Sequence, residues 1–147
     1  VSDQPSTVVV PGSTANLGPG FDALSLALAV YLRATIADIS RAAPASSSSG
    51  AGGGELQFTF AGLRLEGENS IERSLRATAA RYGTTLPSMV IEVSSDIPLK
   101  AGLGSSAAAI VAGIRLYEAV AGPLPIEEVL TLAGQFEGHP DNTSASI

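Results

Sequence analysis

Three short stretches of this chain concentrate the residue types that handle anions, metals and small polar ligands. The first is Pro98-Leu99-Lys100-Ala101-Gly102-Leu103-Gly104-Ser105-Ser106-Ala107-Ala108-Ala109. A strand-like segment runs into glycines and serines there, and a long small-apolar helix follows. Glycines let the backbone come close to a ligand, and the first N–H groups of a helix have no partner inside it. The helix dipole adds roughly half a positive charge at the same end. A phosphate suits such a place. Ser105 and Ser106 supply hydroxyls for that phosphate or for its magnesium ion. Lys100 could add charge beside the loop, although a solvated surface lysine is the more ordinary reading of it. The spacing is not Gly-x-x-x-x-Gly-Lys-Ser/Thr, a pattern absent from the whole chain. Taken alone, Gly102-Leu103-Gly104-Ser105-Ser106 also reads as a tight strand-to-helix turn.

The second stretch is Pro11-Gly12-Ser13-Thr14-Ala15-Asn16-Leu17-Gly18-Pro19-Gly20-Phe21-Asp22. Asn16 and Asp22 bracket a loop shaped by glycines and a proline. An amide and a carboxylate so placed suit an ammonium group or hydroxyls on a small ligand. The same two residues can instead close Asx-turns. The third is Glu137-Gly138-His139-Pro140-Asp141-Asn142, which packs two carboxylates, an imidazole and an amide between apolar segments. A helix C-cap followed by a helix N-cap would account for it too.

The elements that must hold these stretches are readable from periodicity. Thr7-Val8-Val9-Val10 predicts a first strand, stopped by Pro11-Gly12. After the polar loop comes the apolar run Phe21 to Val30, then a β-prone segment from Tyr31 to Ile39. Residues 42–54 are low-complexity Ala/Ser/Gly and predict a mobile surface loop between strands. Glu55 to Phe60 alternates, so Leu56, Phe58 and Phe60 share one sheet face. Ile71, Leu75, Ala79 and Tyr82 repeat at helical spacing, with charged residues between them. Met89 to Val93 predicts a strand leading to the glycine-serine turn. Ala107 to Ala121 is apolar nearly all round, as a buried helix should be. Pro125 to Phe136 predicts a further helix, with Glu127 and Glu128 in its first turn and Gly138 just past its end. Strands early and helices late predict an α+β fold with helices on one side of the sheet.

Composition narrows the chemistry. With 147 residues, 45% hydrophobic and 15% charged, the chain predicts one globular domain rather than a disordered one. A net charge of −6 argues against a nucleic-acid partner. An acidic protein that binds polyphosphate relies on backbone dipoles, a few cations and a metal ion. The absence of cysteine excludes disulfides and thiolate chemistry, and the single histidine excludes an all-His metal site. No apolar run reaches the roughly 20 residues that span a bilayer, so no membrane partner is expected. Val1 to Pro5 has neither part of a signal peptide, which predicts a cytoplasmic protein.

The order Pro-x-Ser-x-Asn-Leu-Gly-x-Gly-Phe-Asp, Pro-x-x-x-Gly-Leu-Gly-Ser-Ser-Ala and Glu-Gly-His-Pro-Asp-Asn resembles the GHMP small-molecule kinases, from about Val8 onward. Within that superfamily the chain looks most like the homoserine kinase branch. The resemblance implies the GHMP kinase N-terminal domain across residues 1–147, similar to domain 2 of ribosomal protein S5, without the C-terminal GHMP domain. It implies transfer of the γ-phosphate of ATP to the side-chain hydroxyl of L-homoserine, with Mg2+, and suggests a homodimer. Gly102, Leu103, Gly104, Ser105 and Ser106 would wrap the nucleotide phosphates, with Lys100 beside them. Ser106 and Glu137 would hold the magnesium ion. Asn69 falls at a nucleotide contact near the base, while Asn69-x-x-Glu72 is equally a capping pair. Asn16, Asp22 and His139 match substrate-side positions, Asp22 as partner of the amino group. Asp141 and Asn142 lie beside the expected point of phosphoryl transfer, with Asn142 assisting and Asp141 a candidate base. The competing expectations are a mevalonate-type or sugar kinase and a non-catalytic nucleotide- or metabolite-binding homologue.

Overall fold

The computed structural model describes residues 6–17, 24–40, 53–62, 67–138 and 140–147. The described elements follow in the order β1 (Ser6–Ala15), β2 (Ser25–Ser40), β3 (Leu56–Ala61), α1 (Ser70–Arg81), β4 (Ser88–Ser95), α2 (Ser105–Ala121), α3 (Ile126–Glu137) and α4 (Pro140–Ser146). The strands form one mixed sheet in the order β1-β2-β4-β3. β1 with β2 and β2 with β4 are antiparallel, whereas β3 and β4 run parallel. A parallel pair needs a crossover, and α1 supplies it.

Alternation sets which face of the sheet is dry. Val8, Ala34, Val93 and Phe60 stand in one row across the four strands, and Ile36, Ile91 and Phe58 in the next. These residues belong to the apolar core or pack against it. The opposite face carries Thr7, Thr35, Glu92 and Thr59 in register. α2 and α4 meet β1 and β2, while α1 and α3 pack on α2. The chain is therefore α+β, with its helices on the dry side.

α2 is the central helix. Ala107, Ala108, Ile110, Val111, Ala112, Ile114, Leu116 and Tyr117 along it are all buried. At Gly113 the α1 backbone comes so close that a Cβ would collide with Ser74 Oγ and the Ile71 carbonyl. Tyr82, at the end of α1, stacks on Tyr117 of α2 and donates to Glu128 Oε2 of α3 at 2.9 Å. Desolvation, then the Glu128 carboxylate, push the pKa of the Tyr82 phenol above its ordinary 10.0. In the same half of α2, Arg115 pairs with Glu118 at 2.7 Å and donates to the Ile147 carbonyl.

Two expectations from the sequence need correction. Pro11-Gly12 does not stop the first strand, which runs on to Ala15. β1 lies at the sheet edge, where a missing N–H costs little. The pair instead sits at a register shift: Pro11 faces Tyr31 and Gly12 faces Leu28. The apolar run and the β-prone segment are likewise not separate, since Ser25 to Ser40 is a single strand. Of the anticipated loop, residues 42–52 lie outside the described residues. Its last two are pinned, not mobile: Gly53 bridges to Leu86, and Gly54 N donates to the Leu86 carbonyl at 2.7 Å.

Candidate active site

The extension of β1 beyond Pro11 delivers Ser13 to the glycine-serine turn. Ser13 N donates to the Leu103 carbonyl at 3.1 Å, tying strand to loop. The turn itself is wound left-handed, with φ of 59° at Lys100, 71° at Gly102 and 68° at Gly104. Gly104 is the N-cap of α2, and a glycine brings no capping side chain; the first turn of α2 also lacks an acidic residue. The contrast within the molecule is informative. α1 is capped by Asn69 and has Glu72 in its first turn, and α3 opens with Glu127 and Glu128. The most deeply buried helix thus presents its positive end without a neutralising group from its own first turn, in an arrangement fit to receive an anion.

α3 brings a carboxylate to this end of α2. Ser106 Oγ donates to Glu137 Oε2 at 3.3 Å. Gly138 then caps α3 in the left-handed conformation, its N–H bonded to the Gly134 carbonyl at 3.1 Å. That turn starts α4 at Pro140 and returns Asp141 and Asn142 toward β1. Asn16 Nδ2 donates to Asp141 Oδ2 at 3.3 Å, and Ser13 Oγ donates to Asn142 Oδ1 at 3.3 Å. Asp141 Oδ1 accepts from Asn142 N at 2.8 Å. Asn16 is itself left-handed, at φ 61°.

Residues from three remote segments therefore meet: Asn16, the turn at Gly104 to Ser106, and Glu137, Asp141 and Asn142. Lys100 is exposed at the start of the turn. Asp22 and His139 lie outside the described residues. Asn69 is a helix cap: its Oδ1 accepts from Ile71 N at 3.1 Å and Glu72 N at 3.4 Å. The Glu72 carboxylate turns to Arg76 at 2.8 Å instead of completing a reciprocal cap. Asn69→Ala is expected to cost about 1 kcal/mol of stability, the usual worth of such a cap. Urea unfolding of the variant checks this, and a nucleotide titration of the same variant reads any separate contact.

Sequence reasoning passed over Ser13 and Ser146. Both are fully buried, and their Oγ atoms are 3.1 Å apart. Ser146 Oγ is also 3.0 Å from the Asn142 carbonyl, one turn earlier in α4. The signal for Ser146 was its i+4 spacing from Asn142. A serine at that spacing carries no chemistry until its neighbour across the fold is known.

The Ser106 hydroxyl and the Glu137 carboxylate are hard oxygens side by side, and such a pair fits a magnesium ion, which takes few protein ligands and completes its shell with water and phosphate. Among the described residues no group of three or more His, Cys, Asp or Glu is gathered for a metal. An ion here is one shared with a ligand's oxygens. No described helix is long and apolar enough to cross a membrane.

A family model for the GHMP kinases N terminal domain matches residues 69–147, which take in the turn, Glu137, Asp141 and Asn142. The chain belongs to the GHMP kinase family. Similarity extends upstream of that match as well. The chain is 42% identical to the homoserine kinase of Corynebacterium efficiens over 142 residues, 96% of this chain and 43% of that protein. The chain thus spans less than half the length of this relative. Among solved structures it resembles the homoserine kinase of Cytophaga hutchinsonii, with TM-score 0.74 and 25% identity over 98% of this chain and 46% of that one. Its fold also matches the Methanococcus jannaschii mevalonate kinase, with TM-score 0.74 but 16% identity, over 98% of this chain and 51% of that one. The mevalonate-type alternative is thereby the more distant GHMP kinase in sequence.

Proposed function

We propose that this chain is the nucleotide-binding half of a kinase that phosphorylates the side-chain hydroxyl of L-homoserine with ATP. The observation that carries the reading is the meeting of the uncapped start of α2 with Glu137 and Asn142, through Ser106 and Ser13. A triphosphate lying along the Gly102–Ser106 turn is then within reach of the groups that handle its terminal phosphate. The identity of 42% to a homoserine kinase supports that substrate over other alcohols.

In this reading the backbone N–H groups of the turn take up the phosphate charge and fix the direction of the γ-phosphoryl group. Ser106 and Glu137 would hold magnesium, which would supply neutralisation of charge at the phosphate oxygens. Asn142 donates to the reacting oxygens, and Asp141, held by Asn16, either orients the acceptor or takes its proton. Asp22 and His139 are assigned to the amino-acid substrate from their places in the motifs. Phosphoryl transfer asks mostly for positioning and charge stabilisation, which these groups supply. A reaction on a small metabolite with ATP suits the cytoplasm.

The deciding measurement is ADP release with L-homoserine, mevalonate and galactose as acceptors, on the chain alone and on a protein extended to the length of its relatives. The extended protein is expected to turn over homoserine and the chain alone to show little turnover, since a site open on one side does not exclude water. Turnover of mevalonate or galactose in preference to homoserine overturns the substrate assignment.

A further inference from the structure

Ser13 is 0% exposed and sits on a strand, yet it touches both the turn and Asn142. Its N–H holds the Leu103 carbonyl of the turn at 3.1 Å. Its side chain lies against Gly104, where a Cβ would collide with Ser13 Oγ. Its hydroxyl donates to Asn142 Oδ1 at 3.3 Å and lies 3.1 Å from the buried Ser146 hydroxyl. A hydroxyl carries one hydrogen. If that of Ser13 goes to Asn142, then Ser146 is the donor between the two serines, giving a relay from Ser146 to Ser13 to Asn142 in which Ser146 shares its hydrogen with the Asn142 carbonyl at 3.0 Å.

The direction of the relay has a chemical consequence. An asparagine amide has one acceptor end and one donor end. With Oδ1 held by Ser13, the opposite end of the amide, the two N–H of Nδ2, is the end Asn142 presents as a donor. We infer that Ser13 is a positioning residue: its hydroxyl fixes the Asn142 amide so that this side chain offers its Nδ2 as a hydrogen-bond donor to the phosphoryl and acceptor oxygens. The inference rests on the phosphotransferase reading above and adds a residue and a polarity to it. Asn142 so held stabilises developing negative charge and does not act as a base.

The test uses the extended, active protein and a double-mutant cycle. Ser13→Ala is expected to lower kcat by up to about tenfold, the worth of one neutral hydrogen bond, with KM for ATP changed less than twofold. Asn142→Ala is expected to lower kcat further, and adding Ser13→Ala to it should then cost nothing more. Ser13→Cys keeps the shape with a weak donor and should fall between Ser13 and Ala; it carries the same cycle if Ser13→Ala does not fold. A kcat loss that persists in the Asn142→Ala background, or a parallel loss of ATP affinity, would mean that Ser13 only supports the turn, and the inference fails. An unchanged kcat in Ser13→Ala sinks it as well. Absence of homoserine turnover in the unmutated protein is a different result, and it strikes the phosphotransferase reading instead.

Discussion

Replacing Glu137 with alanine in the extended protein is expected to lower kcat by about a hundredfold to a thousandfold, the scale of losing one group that stabilises transition-state charge. Affinity for a non-hydrolysable ATP analogue with magnesium should fall less than tenfold. The asymmetry follows from the geometry. Glu137 reaches the site at Ser106 Oγ, the end of α2 where the terminal phosphate would lie. The amides of the turn remain to hold the rest of the nucleotide. Glu137 is the last residue of α3, so its loss leaves the helix core of Val129, Leu132 and Ala133 intact. Calorimetry beside steady-state kinetics separates the outcomes. Equal losses of rate and affinity would make this residue a binding group alone, as a non-catalytic homologue would have it.

The second large effect concerns the backbone. Gly104→Ala should destabilise the fold by about 2–4 kcal/mol, combining the cost of a left-handed alanine with that of overpacking. Gly104 has φ 68°, and its Cβ would meet the Ser13 carbonyl at 3.0 Å and Ser13 N at 3.1 Å besides colliding with Oγ. Strand and loop would have to part, breaking the Ser13–Leu103 bond. Gly102→Ala provides the control. Gly102 has a similar φ of 71° but nothing within 4 Å of a Cβ. Only the conformational cost remains there, about 1–2 kcal/mol. Urea midpoints for the two variants should therefore differ although both residues lie in one turn. Equal midpoints would show that the close approach at Ser13 carries no weight.

Much of the scaffold was legible because its signals are local. The alternation of Leu56, Phe58 and Phe60, the helical repeat of Ile71, Leu75 and Ala79, and Gly138 after α3 each depend on a few neighbouring residues. Pro11-Gly12 misled for the opposite reason. Whether a proline ends a strand depends on whether its nitrogen, which carries no hydrogen, faces a neighbouring strand, and that depends on β1 lying at the edge. The parallel pairing of β3 with β4 was equally out of reach, since the β3–α1–β4 segment does not announce which strand it returns to. At the site, the chemistry-bearing stretches stood out by composition and by resemblance, but their distances did not. Ser13 and Ser146 matter only through each other and through Asn142, which no window of the sequence contains together.

The hydroxyl contact between Ser13 and Ser146 joins positions 133 apart, and the one between Ser13 and Asn142 joins positions 129 apart. During synthesis the opening strand must therefore wait, its buried hydroxyl unpartnered, until α4 has emerged. Contacts of such long sequence separation are late and slow to form. The sheet and the α1–α2 pair can assemble beforehand, but the contacts of Ser13 with Asn142 and Ser146 close only with α4. A bound nucleotide that favours the closed arrangement would then act as a clasp on the finished fold, and protection of Ser13 and Leu103 amides against hydrogen exchange would report its fastening.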